Sequence, residues 1–167
     1  MQEMVVYGVS FDMIGKQPIV LLKTANSNRF LPIWIGHPEA SAILAKLQDS
    51  DTPRPMTHDL FATALDELGG DIVRIVVSEM RDSTFYARIT VDRAGREFEL
   101  DARPSDAIAL ALRAKAPIFA ADEVIESSAI LMEEGEEGEE SAEPEQLVED
   151  FKRFLDDVRP EDFGAEG

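Results

Sequence analysis

The chain contains no cysteine. Disulfides, thiolate zinc sites and cysteine nucleophiles are therefore excluded together. It has no apolar run near the roughly 20 residues that a membrane-spanning helix needs. Its first residues, Met1-Gln-Glu-Met-Val-Val6, lack the basic n-region of a signal peptide, so a cytoplasmic chain is expected, with no membrane contact. Also missing are a Gly-rich phosphate loop, a His-Glu-x-x-His pair, a Gly-x-Ser-x-Gly elbow and an Asp-rich calcium loop. Positive charge is scarce: 16 Lys and Arg face 34 Asp and Glu, for a net charge of −18. No basic footprint for passive nucleic-acid binding exists.

The negative charge is unevenly placed. Residues 1–132 hold 19 acids and 13 bases, whereas 133–167 hold 15 acids and 3 bases. Residues 133–143 are almost entirely Glu, Gly and Ser and read as a flexible acidic linker, since they bury too little apolar surface to order themselves. Behind Pro144, the residues Leu147, Val148, Phe151, Phe154, Leu155 and Val158 fall at helical spacing and predict an amphipathic helix over 144–158. Residues 159–167 are a tail. A lone helix of this length is marginal in water, so its apolar face needs a dock on its own domain, a symmetry mate or a protein partner. Residues 133–167 together, as a polyanionic segment, are expected to compete with nucleic acid or only to maintain solubility.

The body, 1–132, shows one junction twice. An apolar strand runs into a proline-marked helix start with a carboxylate in the first turn: Arg29–Ile43 in the first copy, Phe98–Leu112 in the second. Setting Glu39 on Asp106 aligns Ala40 with Ala107 and Ile43 with Leu110. Around these junctions, alternation predicts strands over Met4–Asp12, Ile19–Lys23 and Phe30–Ile35, then Ile72–Met80, Thr84–Val91 and Glu97–Ala102. Helices are predicted from Pro38 to about Gln48, from a Thr57 cap to Gly69-Gly70, and from a Ser105 cap to about Lys115. A short strand over Pro117–Phe119 and a helical turn over Asp122–Glu126 follow. The predicted class is α+β: two related β-rich halves, each a ββ(β)α unit, with helices packed on the sheet and the last helix tethered.

Chemistry concentrates at the helix starts. Strand alternation brings Asp101 and Arg103 up to Ser105 and Asp106. Two carboxylates and an arginine suit a divalent metal and a phosphate, because the guanidinium fork matches phosphate oxygens. The same residues also suit plain capping, with Ser105 as cap, Asp106 on the helix dipole and Arg103 paired to an acid. His58 and Asp59, also in a first turn, are candidates for general base or water positioning. Glu39 occupies the repeat position of Asp106 and would converge with it if the halves pack about a pseudo-twofold. His37, before Pro38, reads as a cap. Phe30 and Trp34 share one face of their strand, where core packing is the expected role and base stacking would require an open sheet.

The segments Leu31-Pro-Ile-Trp-Ile-Gly36 with Glu39-Ala40, Arg54-Pro-Met-Thr-His-Asp-Leu60, Thr84-Phe-Tyr-Ala87 and Ala102-Arg-Pro-Ser-Asp-Ala-Ile-Ala-Leu-Ala111 jointly resemble the bifunctional nuclease domain family of bacteria and plants. The resemblance spans most of residues 4–132. It implies a compact α+β domain that self-associates, a dimer being favoured, and a nuclease activity on DNA and RNA reported for some members. It supplies no catalytic set. Two readings of different class follow. In one, Asp101, Asp106 and Glu39 hold Mg²⁺ or Mn²⁺, Arg103 neutralises phosphate charge, and His58, Asp59 and Ser105 assist in hydrolysis. In the other, a non-catalytic module holds an anion or a protein partner at its paired helix N-termini.

Overall fold

The computed structural model describes residues 1–12, 15–50 and 52–131. The first half is an antiparallel meander of β1 (Gln2–Asp12), β2 (Gln17–Thr24) and β3 (Arg29–Trp34), closed by helix α1 (His37–Leu47). The second repeats the plan with β4 (Asp71–Arg81), β5 (Thr84–Arg93), β6 (Arg96–Ala102) and α3 (Pro104–Ala114). Between the halves lies α2 (Thr57–Glu67). Strand β7 (Ile118–Ala120), helix α4 (Asp122–Ser128) and β8 (Ile130–Leu131) complete the described elements.

All strands form a single sheet in the order β6-β5-β4-β7-β1-β2-β3-β8. The meanders flank β7 symmetrically, antiparallel to it through β1 and parallel through β4. That arrangement is what a twofold axis through β7 produces, and the expected α+β repeat is borne out. The expected linker and final helix lie outside the described residues. Among the described residues, no helix is long and apolar enough to cross a membrane.

Alternation decides the core. Leu22 pairs with Leu31 and Val20 with Ile33, while Ile75 pairs with both Ile89 and Ile118; all are buried on the helix side of the sheet. Helix α3 is the most buried element. Ala107, Ala109 and Ala111 alternate with Ile108 and Leu110, and these small side chains let it press against both α1 and the sheet. Its end is set by Lys115, which takes the left-handed conformation.

The two junctions are far apart in the strand order yet meet in space. Six strand spacings separate β6 from β3, about 29 Å if the sheet were flat. Yet Arg103, just beyond β6, bonds Glu39, just beyond β3, at 2.7 Å. The two junctions therefore meet off the sheet, where α1 packs on α3.

Three expectations are corrected. Trp34 is 53% exposed, while Phe30 is buried against Tyr7, ring edge to ring face at 5.1 Å. Trp34 is at the end of β3, where neighbouring side chains no longer cover it. Helix α2 buries no residue fully: Leu65 rests on the core, but Leu60, Phe61 and Leu68 stay exposed. Finally, neither Thr57 nor Ser105 is an N-cap. Met56 and Arg103 hold those positions, each in extended backbone; Arg103 directly precedes Pro104, whose ring disfavours helical backbone at the residue before it.

Candidate active site at three helix starts

Helices α1, α2 and α3 begin at one point, and each contributes a side chain from its first turn. Proline at the start of α1 and of α3 fixes the helical φ where an N–H would be unsatisfied anyway. Asp106 on α3 is the hub. Its Oδ1 lies 3.0 Å from His58 Nε2 of α2. Arg103 donates to it through Nε at 2.8 Å and through Nη2 at 3.2 Å, and the same Nη2 reaches Glu39 Oε1 of α1 at 2.7 Å. The order Glu39–Arg103–Asp106–His58 thus joins all three helices.

The four side chains differ in access. Glu39 and His58 are 12% and 13% exposed, whereas Arg103 is 67% exposed, so the guanidinium forms the outer surface of the cluster. Burial pushes the Asp106 carboxyl up, but hydrogen bonds from Arg103 and His58, with their charges, hold it below the ordinary carboxylate range. Asp106 and Glu39 together raise the Arg103 guanidinium above its already high value.

Glu39 owes its place to a missing side chain. Gly36, the α1 N-cap, lies so close to Glu39 Oε2 that a Cβ there would overlap the carboxylate. Gly36→Ala is therefore expected to push Glu39 off Arg103. The loss should be about 1 kcal/mol, because the exposed Arg103 end of the pair is screened by water. Adding Glu39→Gln to that variant should then cost less than about 0.3 kcal/mol more, since the contact is already gone. Thermal melts of the two single variants and the double one check this; full additivity would show that Gly36 acts elsewhere.

Asp59 is turned away from the cluster. Its Oδ2 accepts the Met56 N–H at 2.8 Å, and its Oδ1 accepts from Arg113 Nε at 2.6 Å. Arg113, only 6% exposed, also donates from Nη1 to the carbonyls of Ala42 and Ala109. Burial pushes the Asp59 carboxyl up, yet the bonds from Arg113 and Met56 and the charges of Arg113 and Lys46 hold it low. Sequence reasoning missed Arg113. The available signal was an arginine seven positions after Asp106 in an otherwise apolar Ala-Leu stripe.

The structure brings Glu39, His58, Arg103 and Asp106 together, but not the other three candidates. Ser105 is buried beside Asp106 on α3. Asp101 pairs across the sheet with Arg88, on the face away from the core, where Arg88 bonds Glu99 at 2.7 Å. The expected metal set of Asp101, Asp106 and Glu39 is thus not assembled. Among the described residues no group of three His, Asp or Glu is placed to hold a metal. Both Asp106 oxygens and Glu39 Oε1 already accept from Arg103 or His58, so a cation would have to displace the guanidinium. The donor set as arranged does not fit Mg²⁺ or Mn²⁺, and Arg103 stands where its charge would be needed.

Residues 20–133 match the family model described as Bifunctional nuclease domain. An uncharacterized protein of Mycobacterium tuberculosis is 40% identical over 166 residues, covering 99% of both chains. Bifunctional nuclease 1 of Oryza sativa subsp. japonica is 31% identical over 110 residues, 64% of this chain and 33% of the rice protein. Bifunctional nuclease 1 of Arabidopsis thaliana is 26% identical over 105 residues, with 60% and 32% covered. The chain therefore matches about a third of the length of these plant relatives.

Proposed function

The chain belongs to the bifunctional nuclease domain family, and from that premise we propose that it hydrolyses phosphodiester bonds of DNA and RNA at the Glu39–Arg103–Asp106–His58 cluster. The observation that carries the proposal is the His58–Asp106 pair at 3.0 Å beside an exposed arginine. A carboxylate on one imidazole nitrogen fixes the ring and stabilises its protonated form, which is how a histidine becomes an effective base. His58 takes a proton from water through its other ring nitrogen. The resulting hydroxide forms the new bond to phosphorus, the bond to the leaving oxygen breaks, and the proton passes to that oxygen. Arg103 binds its carboxylates through Nε and Nη2, which leaves Nη1 for a non-bridging phosphate oxygen. Glu39 holds the guanidinium in place. No step is assigned to a metal ion.

One observation favours a second reading. Glu39, Arg103, Asp106 and His58 satisfy one another, and such a network fastens three helices whether or not it turns over a substrate. In that case the domain is a binding module for an anion or a protein.

The test is cleavage of single-stranded DNA and RNA by wild type and His58→Ala, each with Mg²⁺, Mn²⁺ or EDTA and each verified as folded. The expected result is cleavage that persists in EDTA and falls about 10²–10⁴-fold in the variant. Cleavage abolished by EDTA would restore the metal-assisted route. Equal activity in both proteins would remove His58 from the chemistry, and an inactive, folded wild type would leave the binding module.

A further inference from the structure

His58 and Asp59 are consecutive in α2 but face different neighbours, Asp106 and Arg113. On the Asp59 side lies a cleft of ≈ 310 Å³, between the last turns of α1, the segment before α2, and α2 itself. Its rim carries Lys46, Ser50, Arg54 and Thr63, and its floor is the Asp59–Arg113 pair.

The charges in this cleft do not cancel. Arg113 and Asp59 neutralise each other at 2.6 Å, and the Met56 amide takes the second Asp59 oxygen. Lys46 and Arg54 make no ion pair with a carboxylate among the described residues; Lys46 acts on Asp59 only through the longer-range field. Among the described residues that line the cleft, three cations (Lys46, Arg54 and Arg113) accompany one carboxylate, Asp59. The surrounding residues 1–132 hold six more acids than bases, so cations left unpaired here are a local reversal of the field. A concave wall concentrates such a field and raises the local concentration of anions. The Thr63 hydroxyl donates to the Asp59 carbonyl, and Thr52 donates to the Arg54 carbonyl, which fixes the two sides of the cleft by local hydrogen bonds.

We infer that this cleft is a phosphate-binding subsite, in which Lys46 and Arg54 hold a backbone phosphate of the nucleic-acid strand next to the one at His58. The inference rests on the phosphodiester reading of the neighbouring cluster. Both sites draw on the first turn of α2, through His58 and Asp59, so one strand lying across that turn would reach both. Phosphate contacts of this kind set the register of a strand without reading its sequence.

The test compares full-length wild type with Lys46→Ala/Arg54→Ala. Both side chains are partly or fully exposed, so the fold should tolerate their loss. Binding of a fluorescent single-stranded oligonucleotide is measured across a salt series, and binding of inorganic phosphate and of adenosine monophosphate is measured directly by calorimetry. The double variant should bind more weakly at every salt concentration, and its log–log salt slope should be shallower by about 1.4, two contacts at about 0.7 each for a single strand. An unchanged slope in a folded variant would overturn the subsite while leaving the cleavage assay, and the nuclease reading, untouched. If wild type binds no oligonucleotide but binds phosphate or the nucleotide through Lys46 and Arg54, the anion subsite stands and the nuclease reading fails. Binding to none of the three probes overturns the subsite outright.

Discussion

Asp106→Asn is expected to slow cleavage of single-stranded substrates about 10²–10⁴-fold while leaving the fold intact, the span over which positioned acid–base catalysis acts. The reason is the number of tasks that meet at this carboxylate. It accepts from His58 through Oδ1 and from Arg103 through both oxygens. Asparagine keeps the shape but removes the charge and replaces one acceptor with a donor. That NH₂ must face either the guanidinium, where donor meets donor, or the imidazole, where it enforces the wrong tautomer. In either case the protonated imidazole loses its counter-charge.

A pH signature accompanies the loss. The folded Asp106 carboxyl is held below its unfolded value of about 3.9. A depressed carboxyl contributes stability that is present above the unfolded value and lost as pH falls through the folded one. The variant lacks this contribution at neutral pH, so its melting temperature should drop there and depend less on pH below about 4. Melting curves from neutral pH into this acid range, measured beside the cleavage rates, check both parts. A folded Asp106→Asn with wild-type rates would dissolve the proposed site.

The architecture was legible because two signals coincided at each junction. Apolar alternation ended at Trp34 and at Ala102, and within a few residues a proline and an acid opened a helix. Setting Glu39 on Asp106 required no knowledge of space, and both turn out to bind one guanidinium. What alternation could not supply was the packing of α1 on α3, which is a tertiary contact. Without that contact, Arg103 and Glu39 look like members of separate halves.

The errors have a common cause. Periodicity identifies an apolar face, not what covers it. Leu60, Phe61 and Leu68 follow helical spacing, yet α2 lies high on α3 and leaves them exposed. Trp34 follows the strand's alternation, yet it stands past the end of its cover. Asp101 was assigned to the site by strand alternation, which puts it on one face with Arg103. The strand ends at Ala102, however, so Arg103 leaves the sheet to cap α3 while Asp101 stays opposite Arg88. Strand β8, two residues paired with Arg29 and Phe30, has no pattern long enough to read.

Arg113→Met should cost about 2–4 kcal/mol and lower the melting temperature by roughly 10 °C. Methionine fills much of the same volume, so the loss is chiefly polar. Arg113 makes a charge-assisted bond to Asp59 and two bonds to carbonyls, Ala42 of α1 and Ala109 of its own helix. Without it, Asp59 is left as a part-buried carboxylate with only the Met56 amide. Its 32% exposure lets water relieve part of that cost, which keeps the estimate near the lower end for a broken buried pair. The penalty should narrow in acid. Folded Asp59 titrates below its unfolded value, so wild type itself loses this contribution as pH falls through the folded one. Removing both partners, as Arg113→Met with Asp59→Leu, should recover part of the stability, because no unpaired charge remains. The single variant should also lose activity beyond its stability cost. Helix α2 has no fully buried residue, and the Asp59–Arg113 bond pins the same turn that presents His58 to Asp106. A single variant melting within about 1 °C of wild type would mean that α2 is held by its apolar contacts after all.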